Sequence, residues 1–341
     1  MRPTTKDLAR AAGVSLATVD RVLNDRPGVR AGTIERVNRA IRDLGFVRDI
    51  SAANLARRRD YRFLFVLPDI EGRFMSGIVG RIDEANRAFA LERVHAGVLR
   101  IPETDAHAIA ATLDGLEADR VDGVAIMAPA SPQVRDAIDR LRRRGVSVAA
   151  FISKQPNAER SRFIGIDNRA AGRTAARLMG RFCGPGASGG LLVVCETMQL
   201  LDNLERRLGF DQVINAVFPG LTVAPSLETW ADPERTRAVL GQALANVAAL
   251  RGIYVMSSEA ERVLEPLAGM IDLSGVVVVA HERTPFTESA LRSGMADAVI
   301  AQDAGHLVRS ALRVLRASVD ARDPLESQET VRIEILVQDN L

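Results

Sequence analysis

Apolar positions recur at helical spacing three times near the start of the chain. Over residues 4–24, Leu8, Ala11 and Ala12 form one stripe and Val19, Val22 and Leu23 a second. Thr4 with Asp7 three residues on has the spacing of a capping box, and Gly13 stands where a helix can end in the left-handed conformation. Val14 fills the space under the turn, and Ser15 is placed to cap the second helix. The pattern predicts two short helices joined by a tight turn. The polar stretch 25–32 reads as a loop. A third helix is predicted over 33–44, where Ile34, Val37, Ile41 and Leu44 recur before Gly45. Three such helices close one core of marginal size, so this head is expected to gain stability from a partner.

Beyond residue 62 the period changes. Eleven apolar runs read as strands, at 63–67, 94–99, 121–127, 146–152, 163–166, 191–195, 221–224, 252–256, 276–280, 298–301 and 331–336, with helical stretches between most of them. Continuous apolar strands joined by helices predict parallel sheets covered on both faces. Eleven strands suit two smaller sheets better than one.

Composition narrows the class. With 341 residues, 47% hydrophobic and 26% charged, the chain has the make-up of a globular protein of two or three domains. No apolar run is long enough for a bilayer and the N-terminus has no signal-peptide core, so a cytoplasmic protein is expected. Two cysteines, Cys183 and Cys195, favour buried thiols over a disulfide framework. The net charge of +2 is unevenly spread: residues 1–62 hold 14 Lys and Arg against 7 Asp and Glu, and the remainder is mildly acidic. A basic head favours phosphate, because each neutralised phosphate releases counterions.

In the second helix the inward stripe leaves Leu16, Ala17, Thr18, Asp20, Arg21 and Asn24 on the other side or its edges. A helix-turn-helix presents such a face to the major groove, although spacing alone equally describes an ordinary helical hairpin. The residues decide more than the spacing. KDLARAAGVSLATVDRVLN, from Lys6 to Asn24, resembles the DNA-binding head of the lactose-repressor (LacI/GalR) family of bacterial transcription regulators, whose signature runs K-D-V-A-x-x-A-G-V-S-x-x-T-V-S-R-V-L-N. Leu8 for Val and Asp20 for Ser are the departures.

Residues 46–61, FVRDISAANLARRRDY, read by composition as a solvated basic linker. The resemblance implies instead a hinge helix that folds when paired with its twin in the minor groove. Phe46 matches the aromatic of the usual Y-x-P-N, Arg48 and Asp49 replace Pro and Asn, and Leu55 falls on the leucine that relatives wedge between base pairs. Asp49 or Ser51 can cap a helix from Ala52 to Arg58. Such a wedge unstacks a base step at a cost that a bent duplex offsets. Base readout is expected from Leu16, Ala17, Asp20 and Arg21, with Thr4, Ser15, Thr18 and Asn24 placed for phosphates.

Open parallel sheets bind ligands beyond the carboxyl ends of their strands. The residues there are Asp69, 128–131, Ser153, Asp167, Glu196, 257–259, 281–283 and Gln302, with Phe74 and Arg206 near in sequence. Carboxylates, amides, an arginine and an aromatic suit a hydroxyl-rich ligand, yet polar residues follow strands in any α/β protein. The family resemblance covers essentially the whole chain. It implies a two-lobed body like the periplasmic binding proteins: Ile166-Asp167-Asn168 with Gly172 resembles V-D-N-x-x-x-G, RRLGF at 206–210 resembles R-x-x-G-F, Gln302 with Gly305 resembles Q-x-x-G, and the terminal QDNL resembles the family's ending. Asp167 would accept from the ligand and Arg206 would face it. Ser257-Ser258 and Glu282 beside His281 replace the usual Asn-Asp and Asp, so the effector's identity is not inherited.

The expected architecture is thus a small all-α helix-turn-helix head (1–46), a hinge helix and linker (47–61), and an α/β two-lobed periplasmic-binding-protein-like effector and dimerisation domain with parallel sheets (62–341). Its expected function is that of a sequence-specific DNA-binding regulator, a repressor. It would respond to a sugar, polyol or related metabolite through Asp69, Phe74, Asp167, Arg206, Ser258, Glu282 and Gln302. The alternative is a small-molecule binding protein whose head contacts protein. A homodimer on an inverted-repeat operator is expected, and not a tetramer, since no heptad tail follows the last strand. GPGASG at 184–189 matches G-x-G-x-x-G, but it follows a helix and leads into a strand, the reverse of a dinucleotide site. The four histidines share no metal-ligand spacing with either cysteine, and neither an enzyme nor a cofactor is expected.

Overall fold

The computed structural model describes residues 3–23, 27–46, 59–70, 72–155, 162–258 and 260–341. Contacts divide the chain into two units, residues 1–59 and 60–341.

The first unit holds helices α1 (Thr5–Ala12), α2 (Leu16–Leu23) and α3 (Ala31–Leu44). Their shared core is Leu8, Ala9, Ala12, Val19, Val37, Ala40 and Phe46, with Val22, Leu23 and Ile41 packed at its edge. The inward stripe thus runs through Ala9 instead of Ala11, which is exposed. On α3, Ala40 is buried while Ile34 is 38% exposed. The buried faces are set by where three helices cross, which spacing along one helix does not specify.

The second unit carries two sheets. The first is ordered β2 (Val94–Ile101), β1 (Tyr61–Pro68), β3 (Gly123–Ile126), β4 (Ser147–Phe151), β5 (Arg162–Ile164), all parallel. Helices α4 (Arg73–Ala88), α5 (Ala106–Asp114) and α6 (Pro132–Arg143) supply its crossovers. After β5 comes α7 (Asn168–Phe182), then β6 (Gly189–Cys195), α8 (Leu201–Val217), β7 (Leu221–Val223), β8 (Leu227–Glu228), α9 (Pro233–Asn246), β9 (Leu250–Val255), α10 (Ala260–Met270), β10 (Val277–His281), α11 (Pro285–Ser293), β11 (Ala298–Ala301), α12 (Ala304–Val319), α13 (Glu326–Glu329) and β12 (Glu334–Leu336). The second sheet runs β12-β11-β10-β9-β6-β7, with β8 beside β6. Two details depart from the pattern read in the sequence. The two residues of β8 are too few to show a period, and β12 returns antiparallel to β11.

The lobes exchange helices. Helix α7 follows a strand of the first sheet but packs Ala171, Ala175, Ala176 and Met179 under the second, against Leu191, Val193, Tyr254 and Ile300. Helix α12 follows a strand of the second sheet and packs Leu307, Val308, Ala311 and Leu315 on the first, against Phe65, Ala149 and Phe151. The backbone therefore passes between lobes near residues 165–167, again near 302–303, and returns through 320–333. Cys195 is buried and Cys183 half-buried, both as free thiols. Among the described residues no helix is long and apolar enough to cross a membrane.

Candidate functional site

In the head, Thr4 and Asp7 form the capping box. The Asp7 amide donates to Thr4 Oγ1 at 3.3 Å, and the Thr4 amide donates to Asp7 Oδ2 at 2.9 Å. The Thr4 hydroxyl, which donates to Asp7 Oδ2 at 2.7 Å, and then the Thr4 amide hold the Asp7 carboxyl below its ordinary range. Gly13 ends α1 with φ 64°, its amide donating to Ala9 and Arg10 carbonyls, and the Val14 amide also reaches Ala9 O. This left-handed turn aims α2 away from α1. Ser15 Oγ accepts from the Thr18 amide at 3.1 Å and lies 2.9 Å from Thr18 Oγ1, so both hydroxyls are used at the start of α2. Val19 is fully buried. The opposite face exposes Ala17, Asp20, Arg21 and Leu16, the last 46% exposed. Asn24 and Leu55 lie outside the described residues.

In the body, a cavity of about 90 Å³ opens between the lobes. Ile70, Phe74, Met75, Glu103, Met127 and Ile152 line it from the first lobe, and Glu196, Asp202, Asn203, Arg206, Ser257, Ser258 and Glu282 from the second, with Arg262 and Ala231 at the side. A neighbouring space of about 50 Å³ shares Ile70, Glu103, Met127 and Asp202 and adds Ser153 and Lys154. Three residues on the wall have left-handed backbone: Ile152 at φ 63°, Ala231 at 54° and Glu282 at 64°. Ile152 and Glu282 directly follow β4 and β10, where this turn swings the side chain off the sheet and into the cleft. Such strain gathers at binding sites.

The polar centre is Arg206, only 4% exposed on α8. Its Nε donates to Asn168 Oδ1 at 2.8 Å and its Nη1 to the Met256 carbonyl at 2.5 Å, and Nη2 lies 3.6 Å from Glu282 Oε1. Gln302 Nε2 also donates to Glu282 Oε1, at 2.9 Å. Burial pushes the Glu282 carboxyl up to about 7 against the pull of Arg206 and Gln302. Behind it, His281 Nε2 sits 2.7 Å from the Tyr254 hydroxyl, and burial followed by the nearby Arg206 charge keeps the imidazole well below its ordinary range. Glu282 Oε2 and Asp202 Oδ1 are buried with no hydrogen-bond partner among the described residues.

Of the residues chosen from the sequence, Phe74, Arg206, Ser258 and Glu282 line this cavity, and Gln302 is buried behind Glu282. Asp69 and Asp167 do not line it. Asp69 is exposed just past β1, where its amide donates to the Ile101 carbonyl. Asp167 is exposed and caps α7, its Oδ1 accepting from the Ala170 amide at 3.0 Å. The inward position belongs to the next residue, Asn168, 2% exposed. Glu103, Asp202 and Asn203 are additions. Glu103 follows β2, which runs two residues beyond the expected end at residue 99, and Asp202 stands one helical turn before Arg206. A separate cavity of about 730 Å³ lies elsewhere, between α9 and the β6, β7 and β8 edge of the second sheet, and holds none of the predicted residues.

Residues 63–323 match the periplasmic binding protein domain, and residues 4–49 match the bacterial regulatory proteins of the lacI family. The chain belongs to the lacI family of bacterial regulatory proteins. Among the relatives of this lacI-family chain, the HTH-type transcriptional regulator RegA of Clostridium saccharobutylicum is 39% identical over 89 residues, 26% of this chain and 27% of that protein. Catabolite control protein A of Priestia megaterium is 28% identical over 127 residues, 37% of each chain. The matched stretches thus span about a quarter to two fifths of these relatives. Solved structures extend the likeness over the body. A solute binding protein of Burkholderia graminis in complex with D-arabinose has a TM-score of 0.70 at 21% identity, covering 82% of this chain and 96% of that one. A putative LacI transcriptional regulator of Bacteroides fragilis has a TM-score of 0.69 at 17% identity, covering 83% and 98%. At these identities the likeness speaks for the fold.

Proposed function

We propose that this chain is a transcription regulator, acting as a repressor, that binds operator DNA through the exposed face of α2 and senses a hydroxyl-rich small molecule in the interlobe cleft. The observation that carries this reading is the presence, on one lacI-family chain, of a basic helix-turn-helix head and a two-lobed body with a buried polar cavity. Leu16 and Ala17 suit thymine methyls, Arg21 suits guanine, and Asp20 accepts from cytosine. Thr4, Ser15, Thr18 and Asn24 contact phosphates. Two chains form a homodimer on an inverted repeat, with Leu55 wedged into the central step. The sugars named for structural neighbours of the body, D-arabinose and D-allose, support a sugar or polyol as effector. Phe74, Arg206, Ser258, Glu282 and Gln302 form the pocket that this effector enters. Asp69 and Asp167 join them only if lobe motion on binding brings those exposed carboxylates inward. By linkage, effector and operator change each other's affinity by the same factor.

Salt separates this reading from a head that contacts protein. Affinity for a palindromic duplex selected from a random pool should fall linearly on logarithmic axes as salt rises, with a steep negative slope, because bound phosphates release counterions. A flat response, or no selectable duplex, would overturn it.

A further inference from the structure

We infer that the effector of this regulator carries a protonated amine among its hydroxyls, as an amino sugar or amino-polyol does. The inference rests on the reading of the interlobe cleft as the effector pocket. Four carboxylates, Glu103, Glu196, Asp202 and Glu282, face a cavity of about 90 Å³ whose one deeply buried cation among the described residues is Arg206. That guanidinium is already committed. Its Nε, Nη1 and Nη2 are directed at Asn168, the Met256 carbonyl and Glu282, so it braces the wall and balances a single carboxylate. Lys154, in the adjoining space, is held 3.3 Å from both oxygens of Glu205. Arg262 is the second cation on the wall, so the four carboxylates leave the lining net negative.

What remains is an excess of negative charge with acceptors pointing inward. Glu282 is 2% exposed and its Oε2 has no partner among the described residues, and the same holds for Asp202 Oδ1. Buried acceptors are costly when unmet, and buried charge more so. A ligand hydroxyl can donate to such an oxygen but leaves the charge uncompensated. An ammonium group does both, with charge-assisted hydrogen bonds about twice as strong as neutral ones. Among the described residues no group of three His, Cys, Asp or Glu side chains could hold a metal ion, which favours an organic cation. The apolar wall of Phe74, Met75 and Met127 suits the C–H face of a ring, and Ser257, Ser258 and Asn203 suit its hydroxyls. A carboxylate- or phosphate-bearing sugar would meet repulsion here.

Calorimetric titration of the full chain with matched sets tests this: D-glucose, D-galactose and D-mannose, each beside its 2-amino-2-deoxy form and its uronic acid, at about pH 7, where the amines are largely protonated and the Glu282 carboxyl is ionised in part. In at least one set the amine should bind about tenfold or more tighter than the neutral sugar, with the acid weakest. Asp202→Asn, and separately the exposed Glu103→Gln, should narrow that ratio toward one, a change that loss of folding alone does not produce. Equal binding of amine and neutral sugar, or preference for the acid, would overturn the inference while leaving the cleft as the effector pocket. Heat from none of the nine compounds would count against both.

Discussion

Glu282 concentrates the chemistry of the cleft in one side chain. It follows β10 in a left-handed conformation, faces Arg206, Asp202 and Gln302, and has His281 and Tyr254 behind it. Its carboxyl titrates at about 7 when folded against an ordinary 4.5, so the folded state holds this proton more tightly than the unfolded chain. Stability from this group is complete below the unfolded value and is lost as pH rises through about 7. His281 works in the opposite sense: held neutral by burial, it costs stability as pH falls below its ordinary 6.5. The comparison of wild type with Glu282→Gln isolates the first effect. Thermal melts from pH 5 to 8 should show the variant gaining on the wild type as pH rises, and a constant difference would show that Glu282 does not titrate in this window.

At the scale of elements, the crossing of α7 and α8 explains two glycines that the sequence carried only as letters of a motif. A Cβ on Gly172 would lie 1.9 Å from the Arg206 carbonyl oxygen, and one on Gly209 would lie 2.1 Å from the Arg169 oxygen. The helices therefore meet backbone to backbone, which is what brings Asn168 and Arg206 within hydrogen-bond reach. Gly172→Ala should cost roughly 1–3 kcal/mol, the usual penalty for overpacking a tight core, and should weaken effector binding by displacing Arg206. Denaturant midpoints and ligand titration check the two effects. Unchanged values in both would mean that the crossing opens freely. The same scale accounts for Asp167. Motif matching places it at the ligand, whereas a carboxylate preceding a helix also satisfies amides at that helix start, and here it caps α7.

For the whole molecule, the division into two units has a measurable consequence. Among the described residues, the head closes its core with seven buried side chains, while the body holds four extensive clusters. Calorimetry should resolve separate unfolding of head and body. Leu8→Ala removes a fully buried side chain, worth about 2–5 kcal/mol in a packed core, and should lower the head transition and DNA affinity while leaving the body transition in place. A bound effector should raise the body transition, because ligand that binds only the folded state stabilises it. A single transition that moves as one in both experiments would show the units to be thermodynamically coupled.

Much of this protein is determined by local sequence. The period of the apolar positions sets the helices and the strands, Gly13 and the Thr4–Asp7 pair set the turn of the head, and the Lys6–Asn24 stretch identifies the family. These features depend on residues close together in the chain, where backbone sterics and side-chain spacing suffice. Tertiary structure alone decided that α7 and α12 serve the sheet other than the one they follow, that Asn168 and not Asp167 turns inward, and that Glu103 joins Asp202 and Glu282 around one cavity. Those outcomes depend on groups far apart in sequence competing for the same buried space. Burial fixes which polar atoms must find partners, and so fixes where the chemistry lies.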